Sequence, residues 1–536
     1  VRSIASLAEI TSAVRFFAGV PRSLRRTLAS DEARAVLARR RRDRAADFLA
    51  LAGRTIYGNP ASPYRRLLRL AGCEPGDLAR LVAAQGLEGA LSSLHARGVY
   101  LTLDEFKGRR PVVRGSVAFD VAPEQLHNPL VAGHVSTQTS GSGGPRLSVP
   151  FSLPSIHDRA VNTRLTTGAR DGLGWRHGFW GAPGGYVSSV LRCSRAGTPL
   201  IRWFSQLDPR SPDLDRRYRL AAVALRGAAL VAGRRPPPIE PVALDDPAPI
   251  VEWLRGERRA GRTPHLYTYV SPAVRLARAA LDGGDDLHGV QLTVTGEPLT
   301  ETRLSAIRGA GADVVADYGC IEAGGFLSYG CLAPEAPDDV HLFDDIVALV
   351  QPGDAARPRA LPARALLITT LRDSTPLILL NVSTGDEAAV VTRACGCPLE
   401  ALGWRTHLSG IRSFEKLTSG GMTFLGTDVI RVLEVVLPAR FGGGPTDYQL
   451  VEEEAEDGRP RLRLVVHQAL GPVPLDAVAD AFLSALGADS PAARQMELQW
   501  RQSALLRVER GTPRATVTGK ILHLFREQGV AGRPDR

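Results

Sequence analysis

Lysine is almost absent from this chain. Only three of its 66 basic residues, Lys107, Lys416 and Lys520, are lysines, and the rest are arginine. Cysteine is also scarce, at six in 536 residues, which excludes a disulfide framework and makes a reducing, cytoplasmic setting the expectation. No apolar run approaches the ~20 residues of a membrane helix, so no membrane span is expected. The opening stretch VRSIASLAEITSAVRFFAGV scatters apolar residues among basic ones and does not read as a secretion leader. Aromatic platforms paired with basic tracts are missing too. The net charge is +10, but outside ARRRRDR at 38–44 the arginines are interleaved with acids. Nucleic acid is therefore not an expected partner, and the 38–44 cluster reads as a solvated helix face.

What is present is a long, ordinary globular composition, 44% hydrophobic, in a chain too long for one core. The first 110 or so residues are expected to be mainly helical: DEARAVLARRRRDRAADFLALAG and PYRRLLRLAG carry apolar residues at three-to-four spacing and close on glycine. Beyond 110 the texture changes to short apolar runs separated by Gly and Pro. DLHGVQLTVTGEPL and ADVVADYGCIE read as buried strands running into loops, with the helix SPAVRLARAALDGG before them. That alternation predicts an α/β fold with mostly parallel sheets. A polar, Gly-rich segment around 410–421 precedes a tail with its own strand (RLRLVVHQ) and helix (LDAVADAFLSAL) patterns. The expected organisation is a large multi-subdomain region over 1–409, a hinge over 410–421 and a small mobile α+β domain over 422–536.

Five short motifs carry the chemistry. STQTSGSGGPRLSVP at 136–150 is a hydroxyl- and glycine-rich loop whose backbone N–H groups can turn toward an anion. It is not the GxxxxGK[ST] nucleotide loop, since no Lys follows. GEPL at 296–299, YGCIE at 318–322, STGDE at 383–387 and the terminal TGK at 518–520 follow in that order. Tyr318 can stack on a purine, the Glu322 carboxylate can hold Mg²⁺, and Asp386 can accept hydrogen bonds from two ribose hydroxyls. Lys520 keeps a compact ammonium on a flexible stem in a chain that otherwise uses arginine, as a site needing a mobile point charge would.

In this order and spacing the motifs resemble the adenylate-forming superfamily of acyl-CoA synthetases, amino-acid adenylation domains and luciferases, and most closely the phenylacetate–CoA ligase branch. The resemblance implies ATP-dependent activation of a carboxylic acid to an acyl-AMP with release of pyrophosphate, then acyl transfer, most often to coenzyme A. Transfer to an acyl-carrier or other protein thiol, transfer to an amine, and a non-catalytic nucleotide-binding scaffold are the alternatives. It implies that Thr139, Ser140, Gly141, Ser142, Gly143 and Gly144 form the phosphate loop. Gly296, Glu297 and Pro298 would line the adenine pocket with Tyr318. Glu322 would be the magnesium ligand and Asp386 the ribose ligand; Arg412 would lie beside the hinge, and Lys520 would be the catalytic lysine. The phosphate loop departs from the family pattern at Gly143 and Arg146, and NVSTGD lacks the arginine common before TGD.

Two further groups are candidates. Cys331, His341, Cys395 and Cys397 supply three thiolates and an imidazole, enough for a closed tetrahedral zinc site. Some relatives in the phenylacetate–CoA ligase branch carry a structural zinc at similar places, and a structural role is the expectation. His177, Trp180 and Tyr186, in the aromatic, Gly-rich stretch WRHGFWGAPGGYVSSV, are candidates for an acyl pocket, which would suit an aryl or medium-sized acid.

Overall fold

The computed structural model describes residues 7–138, 147–206, 216–353, 361–414, 418–419, 422–423, 429–454, 460–488, 497, 501, 506–516 and 519–526. The N-terminal region is helical as expected. It includes α1 (Leu7–Arg25), α2 (Ser30–Arg42) and α3 (Pro75–Ala96), the last kinked at Gly86. The 38–44 arginines are a solvated face only in part: Arg39 and Arg42 are exposed, but the others are engaged. Arg40 is 1% exposed and donates to Asp345 at 3.3 Å and to Asp158, while Arg41 pairs with Asp344. The cluster clamps α2 to the body of the protein, because its acidic partners lie far away in sequence where no local pattern reveals them.

The body holds two six-stranded sheets. The first comprises β1 (Arg176–Gly181), β2 (Leu200–Ser205), β3 (Ile239–Pro241), β4 (Pro264–Tyr269), β5 (Gln291–Thr295) and β6 (Asp313–Asp317). All its pairings are parallel, in the order β6-β5-β4-β1-β2-β3. Its longer strands are buried at nearly every position, as in RHGFWG and PHLYTY, the pattern of a sheet covered on both faces. Two helices carry side chains toward the carboxyl end of this sheet, α4 (Leu153–Ala169) and α5 (Tyr186–Ala196). Ser152 caps α4 by accepting from the Ser155 N–H at 3.2 Å, and Gly197, at φ +79°, ends α5. The strand order reverses between β1 and β4, and ligands of such sheets bind outside the carboxyl ends of the strands at that point.

The second sheet comprises β7 (Ser328–Gly330), β8 (Val340–Leu342), β9 (Val347–Val350), β10 (Ala365–Thr370), β11 (Val382–Thr392) and β12 (Thr406–Ser413). Its order is β7-β8-β12-β11-β10-β9, and it is antiparallel throughout. The α/β class is as expected, but the mostly parallel reading describes the first sheet only. Strands such as ALLITT are buried at every position and so carry no alternation that would mark them as antiparallel.

A separate apolar cluster is built only from residues 429 onward, including Leu433, Tyr448, Leu464, Phe482 and Leu524. Around it lie β13 (Tyr448–Glu454), β14 (Pro460–His467), β15 (Leu506–Gly511) and β16 (Leu524–Arg526), in the order β15-β14-β13-β16. Among the described residues, no helix is long and apolar enough to cross a membrane.

Candidate active site

Lys520 lies between β15 and β16, in a loop closed on itself. Its N–H donates to Thr516 Oγ1 at 3.1 Å, the Thr516 N–H donates to its carbonyl at 2.8 Å, and Gly519 takes φ +81°. The loop projects the side chain to the carboxyl ends of β4 and β5. There Nζ stands 5.2 Å from the Tyr269 ring centroid. A Cβ added at Gly296 would fall 2.7 Å from Lys520 Cε and Nζ, and Gly296 has φ +79°. Glycine is needed there twice over, for its backbone angle and for the close approach of the ammonium.

Glu297 turns away from that opening. One of its carboxylate oxygens accepts from the Ser271 N–H at 2.7 Å and from Ser271 Oγ at 2.5 Å, with Arg303 Nη1 at 3.2 Å. Its side chain is 1% exposed and ties the 296–298 turn to α6 (Val270–Asp282) and α7 (Glu301–Gly309). Any lining of a base by Gly296, Glu297 and Pro298 therefore falls to backbone and proline ring, not to the carboxylate.

Tyr318 follows β6. Its N–H donates to Ser328 Oγ at 2.8 Å and its hydroxyl donates to Asp386 Oδ2 at 3.2 Å. Burial first, then the Asp386 charge, holds its phenol proton well above the usual value. Cys320 is raised likewise by burial and then by Glu322, with Asp386 and Arg159 also acting on it. The 318–322 loop and Asp386 thus meet at one place, although 68 residues separate Tyr318 from Asp386. Arg412 is engaged beside them, donating from Nε to Glu387 at 2.6 Å. The expected phosphate loop, Thr139 to Gly144, lies outside the described residues, as do positions 415–417 and 420–421 of the expected hinge. The flanking strands His134–Gln138 and Ser148–Ser152 pair antiparallel, Gln138 opposite Ser148.

The three acyl-pocket candidates are core residues instead. His177 packs against His265 with their Nδ1 atoms 2.9 Å apart, and burial lowers its pKa to about 4. Trp180 donates to the Val242 carbonyl at 3.3 Å, and the Tyr186 hydroxyl donates to that of Pro237 at 2.6 Å. Each polar atom has a protein partner, and all three residues are buried. The recess beside Tyr318 is lined by others, among them Arg159, Arg192, Tyr267, Asp317 and Phe326. The signal in the sequence that could have led there is the arginine inside the apolar run VLRC of α5.

Cys331, His341, Cys395 and Cys397 do converge, their donor atoms all within 4.8 Å of one another. His341 Nδ1 faces the Trp404 carbonyl at 2.7 Å and so carries the proton. Nε2 then points its lone pair at Cys397 Sγ, 3.2 Å away, and Cys395 Sγ, 3.7 Å away. Glu400 fixes the CGC turn by accepting from the N–H groups of Cys395 at 2.9 Å and Gly396 at 2.7 Å. The donor set, the tautomer and the braced turn all fit a tetrahedral zinc.

A buried ionic cluster has no signature in the sequence. Arg303 of α7 has its Nε 2.6 Å from Glu434 Oε1, and His523 Nε2 lies 2.6 Å from the same oxygen. Arg303 Nη2 is 3.0 Å from His523 Nε2, and Thr300 donates to Glu434. Burial pushes Glu434 up, but Arg303 and His523 outweigh it and hold its carboxyl at about 2. Glu434 and His523 belong to the C-terminal unit, so these contacts dock Lys520 over Gly296.

No family model matches this chain, and no curated protein does. In fold it is similar to a 2-hydroxyisobutyryl-CoA ligase solved with its acyl-AMP and CoA. The two are 17% identical with a TM-score of 0.44, over 94% of this chain and 92% of that one. It is also similar to the anthranilate CoA ligase AuaEII (14% identity, TM-score 0.44, 72% and 65% of the two chains). A third is the amide bond synthetase McbA from Marinactinospora thermotolerans (15%, 0.37, 86% and 91%).

Proposed function

We propose that this chain is an adenylate-forming ligase. A substrate carboxylate oxygen attacks the α-phosphorus of ATP, the bond from that phosphorus to the bridging oxygen of the β-phosphate breaks, and pyrophosphate leaves. The acyl-AMP then loses AMP to a nucleophile. The observation that carries this reading is the lodging of Lys520 against Gly296 and over Tyr269, at the carboxyl end of β4, one of the two strands between which the order reverses.

Carboxylate and triphosphate repel each other, and the transition state spreads charge over phosphoryl oxygens. A lysine held between them offsets that repulsion, and its position counts as much as its charge. Tyr318 and Asp386, joined by a hydrogen bond, are placed to receive the nucleoside, the ring by stacking and the carboxylate by accepting from the ribose. Glu322 is the carboxylate on that loop suited to magnesium, which when bound supplies positive charge to the phosphates. Zinc at the four-residue Cys/His cluster would be structural. It would pin the β7–β8 turn, and hence the segment behind Tyr318.

Coenzyme A is the proposed acceptor, with a carrier-protein thiol or an amine as the second reading. The test is pyrophosphate release over a panel of carboxylic acids, with and without CoA, pantetheine-bearing carrier protein and simple amines. Acid-dependent release with a CoA-dependent thioester is the expected result. ATP turnover indifferent to every acid would remove the reading.

A further inference from the structure

The recess beside Tyr318 holds an excess of positive charge that the first half-reaction does not use. Arg192, on α5, is 4% exposed; it donates from Nη1 to Thr163 at 2.7 Å, and its guanidinium carbon lies 4.4 Å from the Phe326 ring centroid. Arg159, on α4, lies over Phe151 at 4.5 Å. Its Nη2 would meet a Cβ at Gly324 at 2.8 Å, so two glycines, Gly324 and Gly325, make room for it. Among the described residues, Nη2 of Arg159, Nη2 of Arg192 and Oδ1 of Asp317 are buried with no hydrogen-bond partner. Unpartnered buried charge is costly, and proteins tolerate it where a ligand completes it.

The local acids do not balance the two cations. Asp158 is committed to Arg40 and Ser374. Asp317 is 7% exposed, and burial pushes its carboxyl well above the usual range despite the pull of Arg192. Burial and then the Arg192 charge bring Arg159 down to about 9. Among the described lining residues, Asp317 is thus the one carboxyl set against two guanidinium groups.

Strand register places the recess relative to Lys520. Tyr267 and Tyr269 are two residues apart on β4 and so point to the same face, and Asp317 stands level with Thr295 and Tyr269 across β5 and β6. Lys520 lies over Tyr269, and Arg192 lies 5.4 Å from the Tyr267 ring. The two tyrosines that these cations lie against are thus one two-residue step apart along the strand, roughly 7 Å.

We propose, building on the adenylation reading, that Arg159 and Arg192 hold a second anionic group of the acid, so that the substrate is a compact dicarboxylic acid. One carboxylate reacts at Lys520 while the other neutralises the arginine pair. The unpartnered Nη2 atoms of the two arginines donate to the bound carboxylate.

The test compares succinate and glutarate with butyrate and pentanoate in ATP–pyrophosphate exchange. The expected result is a preference in kcat/KM of about tenfold or more for the dicarboxylates. The preference should narrow in Arg159→Gln and Arg192→Gln, with the loss mainly in KM, and be partly restored in Arg192→Lys. Arg159 is the less buried of the two and serves if the Arg192 variants do not fold. Equal or better exchange with the monocarboxylates, or with amino acids of that length bound at Asp317, overturns the inference and leaves the adenylation reading intact. If no acid supports exchange, the adenylation reading falls, and calorimetric titration of the same full-length proteins with succinate decides the recess separately. Succinate binding that Arg159→Gln weakens supports the anion site, and no binding refutes it.

Discussion

At the scale of single residues, the proposed adenylation would depend on how closely Lys520 is fitted to its seat. Gly296→Ala is expected to leave the fold intact and slow adenylation by about 10²-fold, since a catalytic group displaced by an ångström loses that much. The new Cβ would fall 2.7 Å from the ammonium, at a backbone angle unfavourable to alanine. Pyrophosphate exchange and a thermal melt on the same preparation check both parts. Tyr318→Phe removes the hydroxyl that donates to Asp386. Its expected effect is a rise of several-fold in the KM for ATP with little change in stability, about 1 kcal/mol of hydrogen bonding. That Lys520 would meet Gly296 and Tyr318 would meet Asp386 was legible because their motifs are local and their order along the chain is distinctive. Arg192, Asp317 and Arg159 were not. Each is a common residue whose meaning comes from partners brought in by α4, α5 and β6, whereas the aromatic side chains of His177, Trp180 and Tyr186 are buried with protein partners of their own.

At the scale of elements, the Cys/His cluster joins β8 to the CGC turn and the end of β7. Purified protein is expected to carry about one zinc per chain. Cys395→Ser should lose the metal together with several degrees of thermal stability, while the affinity for ATP falls only modestly. Metal analysis of protein prepared without chelators, followed by melting of both forms, is the check; metal-free wild-type protein of full stability would end the proposal. The four ligands were legible as residue types that zinc prefers. What the sequence did not show is the antiparallel sheet that brings them together, four of whose six strands are buried at every position and so do not declare their direction. Nor did it show that Asp43 divides the first long helical pattern, giving a second helix at Arg44–Ala52.

At the scale of the whole molecule, adenylation and acyl transfer make opposite demands on one opening. Lys520 must sit at the phosphate for the first, and the incoming nucleophile needs the same side for the second, so the C-terminal unit is expected to swing. Arg303, Glu434 and His523 hold the docked pose. Arg303→Leu strands Glu297 and Glu434 as buried charges and should weaken docking by about 3–5 kcal/mol. Adenylation should then slow while acyl transfer from supplied acyl-AMP is spared. The pH dependence follows from Glu434, whose carboxyl is held at about 2 when docked, below its ordinary 4.5. Its contribution is present above 4.5 and is lost as pH falls from there toward 2. Limited proteolysis of the junction across that range should show release of the C-terminal unit on the acid side only.

The central claim is that Lys520 serves the first half-reaction and not the second. The most direct measurement is single-turnover kinetics of both halves on Lys520→Ala, with the acyl-AMP formed from ATP in one arm and supplied ready-made in the other. Acyl-AMP formation is predicted to fall by about three orders of magnitude or more, while transfer from supplied acyl-AMP stays near the wild-type rate. Equal losses in both halves, or an unchanged first half, would contradict the claim.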